Sequence, residues 1–448
     1  MKFTKFGKTL WMSALSLGAI LGVTSCVQSY SVGFLYVTGT VTADTTGNGI
    51  ISGFKIDHNT GQLKRINGLP VSSGGSNPVR AVLIQAGKFL YVLNRGTNAS
   101  GGSDCTTADP CQGANITQFA VGGNGIITPQ QTFYSQGINP FRIIADSSGG
   151  FIYVLDHDAP DSASCALALG SSVTSCGDIT VFQVDATTGR LSLVVNAQVT
   201  SASGSALPYF PVPADPIDFT IASSYVLTLS GTPSTGDYVF PYTRNASNGQ
   251  LTVNQNSAQP LNIGQATALV YTSYLYVLDN EPITYTPSGS SSPITSPSQI
   301  VPFTIGSNGA LQAQTGGAVP DDPSLSNPIY LISAGGSNGG KWVYVVNQGD
   351  NSNTTVQQSG IAGYVIDTST HQLTTMSGSP FGTGAGPQCM VEDPSNQFIY
   401  VANYNDKSVT GRLIDQNVGN LDALPGKANQ AYALDGPPTW CLVSSRTN

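Results

Sequence analysis

Charge is what this 448-residue chain has least of, with 9% Asp, Glu, Lys and Arg against about 25% in an average domain. That scarcity excludes a coiled coil or a long salt-bridged helix. The disordered class is excluded as well, because 40% of the residues are apolar and supply a core. Acidic residues outnumber basic ones by 25 to 17, and phosphate binding needs clustered Lys and Arg, so nucleic acid is not an expected partner. With three histidines, general bases near neutral pH are few. The sequence has no phosphate-cradling Gly-x-Gly-x-x-Gly and no Gly-x-Ser-x-Gly elbow between strand and helix, the Gly-x-Ser-x-Gly pattern at 335–339 being a turn ahead of a β-type run, and no His-Glu-x-x-His zinc motif. Beyond residue 26 no apolar run reaches the roughly 18 residues of a spanning helix. Turn-formers are abundant instead, 51 Gly and 27 Pro.

The N-terminus reads as an address. Lys2, Lys5 and Lys8 precede an apolar run from Leu10 to Val23 and a small-residue cut site, the layout of a secretory signal. Val23-Thr24-Ser25-Cys26 resembles the lipobox of bacterial lipoproteins. That resemblance implies a signal peptide over 1–25, a lipidated Cys26, a linker over 26–32, and one domain over 33–448 held to the cell envelope by lipid alone. Plain cleavage after Ser25 is the alternative. The other six cysteines fit an oxidising compartment. Cys105 with Cys111 and Cys165 with Cys176 are close in sequence and predict two local disulfides. No Cys-x-x-Cys spacing favours zinc or haem. Cys389 and Cys441 form either a third bridge or two buried thiols.

One unit recurs seven times. A β-branched, aromatic strand carries Tyr36, Tyr91, Tyr153, Tyr225, Tyr276, Tyr344 and Tyr400, at intervals of 51 to 72 residues. Each is followed by a hairpin, as in Ile-Asp-His-Asn-Thr-Gly-Gln-Leu at 56–63. Before the tyrosine strand lies a short apolar opener, usually begun by proline: Asn-Pro-Val-Arg at 77–80, Asn-Pro-Phe-Arg at 139–142, Asp-Pro-Ile-Asp at 215–218. Four strands per unit and seven units predict an all-β, seven-bladed β-propeller of antiparallel blades. The chain starts on a tyrosine strand and ends on the opener Gly-Pro-Pro-Thr-Trp-Cys at 436–441, so both termini must share the closing blade.

These strands and hairpins resemble the lactonase-type seven-bladed propellers, which include 6-phosphogluconolactonase-like enzymes and YVTN-repeat surface proteins. The resemblance spans 33–445 and implies either lactone hydrolysis or surface binding. One departure is visible: openers of the enzymes carry a Gly-Pro-Arg-His type motif, and no opener here has a histidine.

The long insertions fall on one face of such a propeller, which marks it as the working face. Arg80, Arg142 and Asp218 stand two residues after an opener proline, and Arg95, Asp156, His157, Asp158 and Glu281 lie at or beyond the ends of tyrosine strands. As a binding cluster, Arg80, Arg95, Arg142, Asp158, Asp218 and Glu281 would hold a small polar or anionic ligand, or an envelope protein. As an active site, His157 or Asp156 would activate water while arginines steady an oxyanion. In a third reading the arginines simply pair with neighbouring aspartates. No cofactor is expected, although Asp156, Asp158 and Asp161 offer carboxylates to calcium. Trp342 and Trp440 read as core, and 286–298 as a solvent-exposed flap without chemistry of its own.

Overall fold

A computed structural model describes residues 30–41, 47–201, 203–232, 236–253, 258–272, 274–287, 289–314, 316–335, 340–349, 359–427 and 431–445. The leader and Cys26 lie outside these residues.

Seven antiparallel sheets form the blades of a propeller, each with four strands ordered a-b-c-d from the central channel outward, and in five of them a further short strand pairs with c. Blade two is the simplest: strand a, Pro78–Ile84; b, Phe89–Asn94; c, Asn115–Val121; d, Ile127–Phe133. Blades three to seven follow with inner strands Ile138–Ala145, Pro216–Ala222, Ala266–Tyr271, Pro328–Ala334 and Pro387–Glu392. Blade one takes b, c and d from Ser31–Gly39, Ile50–Asp57 and Leu63–Arg65, and its inner strand from Pro438–Ser444 at the other end of the chain. Phe34 pairs with Ser444 and Thr38 with Trp440 across this closure, so neither edge is left open.

The b strands are buried on both faces, six of six residues in Phe89–Asn94 and in Trp342–Asn347. This explains their unbroken β-branched and aromatic composition. Seven hydrophobic clusters fill the molecule, each shared by two neighbouring blades. Stability is therefore a property of the ring and not of any blade alone.

The recurring tyrosine and the hairpin glycine are two halves of one contact. Tyr36, Tyr91, Tyr344 and Tyr400 donate their hydroxyls to the carbonyls of Gly125, Gly189, Gly419 and Gly61, each in the c–d hairpin of the next blade. The same glycines have positive φ and lie against the aromatic residue two places before the tyrosine: an added Cβ would come within 2.6 Å of Phe34 at Gly125 and of Trp342 at Gly419. In blade six His371 takes the glycine position, with φ 56°. Its ring stacks on Tyr274 at 3.8 Å, and its carbonyl accepts from Tyr276. In four blades an aspartate opens the hairpin and fixes the turn: Asp367 Oδ1 accepts from the backbone N–H groups of Ser369 and Thr370 at 2.8 Å each. Loss of one such clasp in Tyr344→Phe is expected to lower unfolding free energy by about 1 kcal/mol, as measured by urea denaturation; an unchanged midpoint would dismiss the clasp as a stabilising contact.

Three disulfides form, Cys105–Cys111, Cys165–Cys176 and Cys389–Cys441. The third resolves the open alternative in favour of a bridge. It joins the inner strand of blade seven to the closing strand, between positions one ladder step apart. Two loops carry structure that the repeat pattern does not announce. Residues Ser162–Leu169 form a helix capped by Asp161, which accepts from Ala163 N at 3.0 Å, and Cys165 pins it to strand c of blade three. The Ser- and Pro-rich flap is a β-hairpin, Ile283–Tyr285 against Ile294–Ser296. Behind it Ser298 is buried and donates to Asp321 Oδ2 at 3.2 Å. Among the described residues no helix is long and apolar enough to cross a membrane.

Candidate functional site

The inner strands enter the ring at the loop-rich face, and in five blades the residue two places after the opening proline lies at the channel; in blade seven that place holds Cys389, which is buried and bridged to Cys441. Arg80, Arg142, Asp218, Tyr330 and Trp440 all occupy this slot. Trp440 is thus a channel residue and not core, and Tyr330 is the partner that the sequence reading missed. The signal was available, because the slot rule already used for Arg80, Arg142 and Asp218 selects both aromatics.

Arg80, Trp440 and Tyr330 form a partition across the channel. The Arg80 guanidinium carbon lies 3.6 Å from the centre of the Trp440 ring and 5.6 Å from that of Tyr330, and the two rings meet edge to face at 4.9 Å. Above the partition is a chamber of about 360 Å³ lined by Arg80, Arg142, Gln348, Gln388, Tyr404 and Trp440, among others. Below it a second chamber of about 420 Å³ is walled mostly by aliphatic side chains. Its carboxyl is that of Glu392, which accepts from Gly335 N at 2.9 Å and is lifted by burial to about 7.

The two arginines of the upper chamber are held differently. Arg142 donates from Nε to Asp218 Oδ1 at 3.2 Å and from Nη1 to the Phe141 carbonyl at 3.2 Å; Asp218 Oδ2 accepts in turn from Leu269 N at 3.3 Å. Arg80 has the Trp440 face and no hydrogen-bond acceptor among the described residues. Burial first, and then the neighbouring Arg142 charge, lower its pKa to about 9. It is still a cation at neutral pH, and an anion placed beside it would relieve both effects.

The other residues chosen from sequence are distributed elsewhere. Arg95, His157 and Asp158 stand on the rim above blades two and three. His157 Nδ1 is 3.1 Å from Asp158 Oδ2, and the bond raises the imidazole pKa against the opposing effect of burial. Burial pushes Asp158 up, but the bonds from His157 and from Thr107 Oγ1 outweigh it and hold the carboxyl below its ordinary range. Arg95 is lowered by burial and by the charge of Arg142. Asp156 does not reach the channel. It lies in strand b of blade three where the pairing with c ends, fully buried against Asp178 of strand c, one strand removed from the axis. Glu281 is also apart, at the seam of blades four and five, where its charge helps raise Asp237 and Asp279 after burial. Among the described residues no three His, Cys, Asp or Glu side chains gather as a metal site.

A family model described as lactonase, 7-bladed beta-propeller, matches residues 47–207 and 319–427, more than half of the chain. The chain belongs to that lactonase family. Solved structures similar to this lactonase-type propeller include a putative 6-phosphogluconolactonase from Bacteroides fragilis, at 16% identity and a TM-score of 0.60, covering 92% of this chain and 98% of that one. A second putative 6-phosphogluconolactonase, from Bacteroides uniformis, aligns at 14% identity and a TM-score of 0.61, covering 92% and 99%. The periplasmic gluconolactonase of Pseudomonas aeruginosa aligns at 17% identity and a TM-score of 0.60, covering 92% and 99%. At these identities the likeness is one of fold. No curated protein matches the sequence. The propeller's own site, with its stacked arginine and amide-lined wall, must therefore be read from its residues.

Proposed function

We propose that the upper chamber binds a small anionic polyol, of the sugar-acid or sugar-lactone class, and that the protein serves as a binding module of the cell envelope. The observation that carries this reading is Arg80: a guanidinium stacked on Trp440, on the channel axis, with no acceptor of its own among the described residues. Its donors and those Arg142 leaves free suit a carboxylate. Gln348, Gln388 and Thr439 offer hydrogen bonds to hydroxyls, and Tyr404 offers an apolar face. Three disulfides support an oxidising compartment, in keeping with the proposed leader over 1–25 and lipid anchor at Cys26.

A second reading, hydrolysis of a sugar lactone, is favoured by family membership and by the same arginine pair, which would steady a developing oxyanion. His157 and Asp156, the bases chosen from sequence, do not line the chamber, which puts binding first.

Titration calorimetry with gluconate and glucono-lactone separates the readings. Saturable binding is expected, weakened about 10- to 100-fold in Arg80→Met, in line with about 1.5–3 kcal/mol for a charge-assisted hydrogen bond. An affinity unchanged by that substitution, or no heat with any aldonate or lactone, would remove the proposed site. Saturable acid release in a pH-stat would instead put hydrolysis first.

A further inference from the structure

Blades two, three and seven build one constellation at the upper end of strand b. Where the b–c ladder ends, a residue of b faces one near the start of c, above a glycine of the loop that leads into the same blade's inner strand. In blade two Asn94 pairs with Asn115 across the ladder, and its Nδ2 donates to Asn115 Oδ1 at 2.9 Å and to the Ser73 carbonyl at 3.1 Å, with Thr117 Oγ1 at 3.3 Å. Gly75 leaves room for the pair: a Cβ there would stand 2.7 Å from Asn115 Nδ2 and 2.7 Å from Asn94 Cβ. In blade seven Asn403 donates to Ser408 and Thr410 at 3.2 and 3.0 Å.

Blade three repeats the blade-two frame with both amides replaced by carboxyls. Asp156 pairs with Asp178. Ser135, Gly137 and Thr180 stand where Ser73, Gly75 and Thr117 do, with Ser135 Oγ bonded to Asp156 Oδ2 and 2.9 Å from Thr180 Oγ1. A Cβ on Gly137 would fall 2.2 Å from Asp178 Oδ2 and 2.4 Å from Asp156 Cβ, so both carboxyls crowd over the same glycine. Neither side chain is exposed. Among the described residues Asp156 Oδ1 and both oxygens of Asp178 have no well-formed hydrogen bond; the Gly137 N–H toward Asp156 and the Thr180 hydroxyl toward Asp178 are the neighbouring donors, and burial outweighs both. An amide pair supplies its own donor, whereas two carboxylates supply none and repel each other in a medium that water does not screen.

We propose that Asp156 and Asp178 hold one proton between them, one carboxyl donating to the other as Asn94 donates to Asn115, and that this proton secures the upper edge of blade three. It comes from solvent, and no bond between heavy atoms changes. Among the described residues, the groups packed around the pair offer no substitute cation. Strand a presents Pro140, strand c presents Thr180, and the flanking strand Phe210–Pro213 presents Pro211. Asp158 adds negative charge toward Asp178, and the Tyr209 hydroxyl is bonded to Ser164; His157 is turned to Asp158. Burial raises both carboxyls, Asp156 to about 7 and Asp178 well above the ordinary aspartate range.

The sign follows from linkage. The folded chain retains a proton that an unfolded aspartate releases near pH 4, so the pair's contribution is complete below that pH and is lost as pH rises toward about 7. Across that window one retained proton makes the unfolding constant rise by up to about tenfold per pH unit, after which the dependence levels off. The test uses the full-length protein with isotope-labelled aspartate carboxyls. Infrared difference spectra should show a protonated aspartate band at pH 6 that fades by pH 8 and is missing in Asp178→Asn. Urea unfolding at pH 5 and pH 8 should differ at least tenfold more in equilibrium constant for the wild type than for Asp156→Asn/Asp178→Asn, which rebuilds the blade-two pair. No protonated aspartate in the wild type at pH 6 would overturn the proposal, and this needs no variant to fold. The same pH dependence in the double variant would also overturn it, as would a chelator-induced loss of stability showing that a cation holds the pair.

Discussion

Removing the ring-closing disulfide in Cys389→Ala/Cys441→Ala is expected to lower the unfolding free energy by about 4 kcal/mol, the loop-entropy value for its sequence separation of 52. The closing strand Pro438–Ser444 is hydrogen-bonded to Ser31–Gly39, but those two strands lie at opposite ends of the chain, and joining them orders almost everything between. The bridge ties the same strand covalently to blade seven, so its loss leaves closure to one ladder and the clusters on either side. The control is Cys105→Ala/Cys111→Ala, a separation of 6, for which the same entropy model gives about 2 kcal/mol. Urea unfolding of both variants decides: a closing-bridge loss no larger than the control's would show that the ladder alone seals the ring.

Gly61→Ala is expected to cost about 2 to 4 kcal/mol, combining a left-handed backbone that alanine resists with a collision against a buried ring. Gly61 has φ 65°, and an added Cβ would come within 2.4 Å of Phe398 Cδ1. The Phe398 ring cannot retreat, because it is packed in the cluster between blades seven and one. The Gly61 carbonyl also accepts from Tyr400 at 2.6 Å, so a shifted hairpin would stretch that bond. Gly68 separates the two contributions: its φ is 89° but nothing lies within 4 Å of an added Cβ. Gly68→Ala therefore carries the backbone cost alone, about 1 to 2 kcal/mol. Equal losses at the two glycines would refute the proposed collision at Phe398.

The propeller was legible because each blade repeats its chemistry: a doubly buried strand needs an unbroken apolar run, and the tyrosine and hairpin glycine recur together since each is the other's partner. The two short cysteine pairs were legible for a similar local reason. Cys389 and Cys441 were not, because their contact depends on how two neighbouring inner strands stagger, and no spacing within one strand records it. The channel was half legible. The slot after the opener proline identified Arg80, Arg142 and Asp218, yet Trp440 in the same slot reads as core and Tyr330 goes unmarked, since an aromatic side chain in a buried strand looks alike whether it faces a neighbour or a cavity. Asp156 was misplaced by its position just before His157 and Asp158. Those two project to the rim, whereas Asp156, still paired with Asp178 of strand c, turns into the blade.

The tyrosine clasps run in one direction only. Tyr36 reaches from blade one to blade two, Tyr344 from six to seven, and Tyr400 from seven back to one. The seam between the last blade and the first is therefore built like the other seams, and nothing in the clasp records where the polypeptide begins. The termini mark a cut in an otherwise continuous circle, placed between the first and second strands of a blade. Reopening the backbone at another loop and joining the present ends would leave each of these clasps with the same two partners, and Cys389–Cys441 would become a staple at an uncut joint.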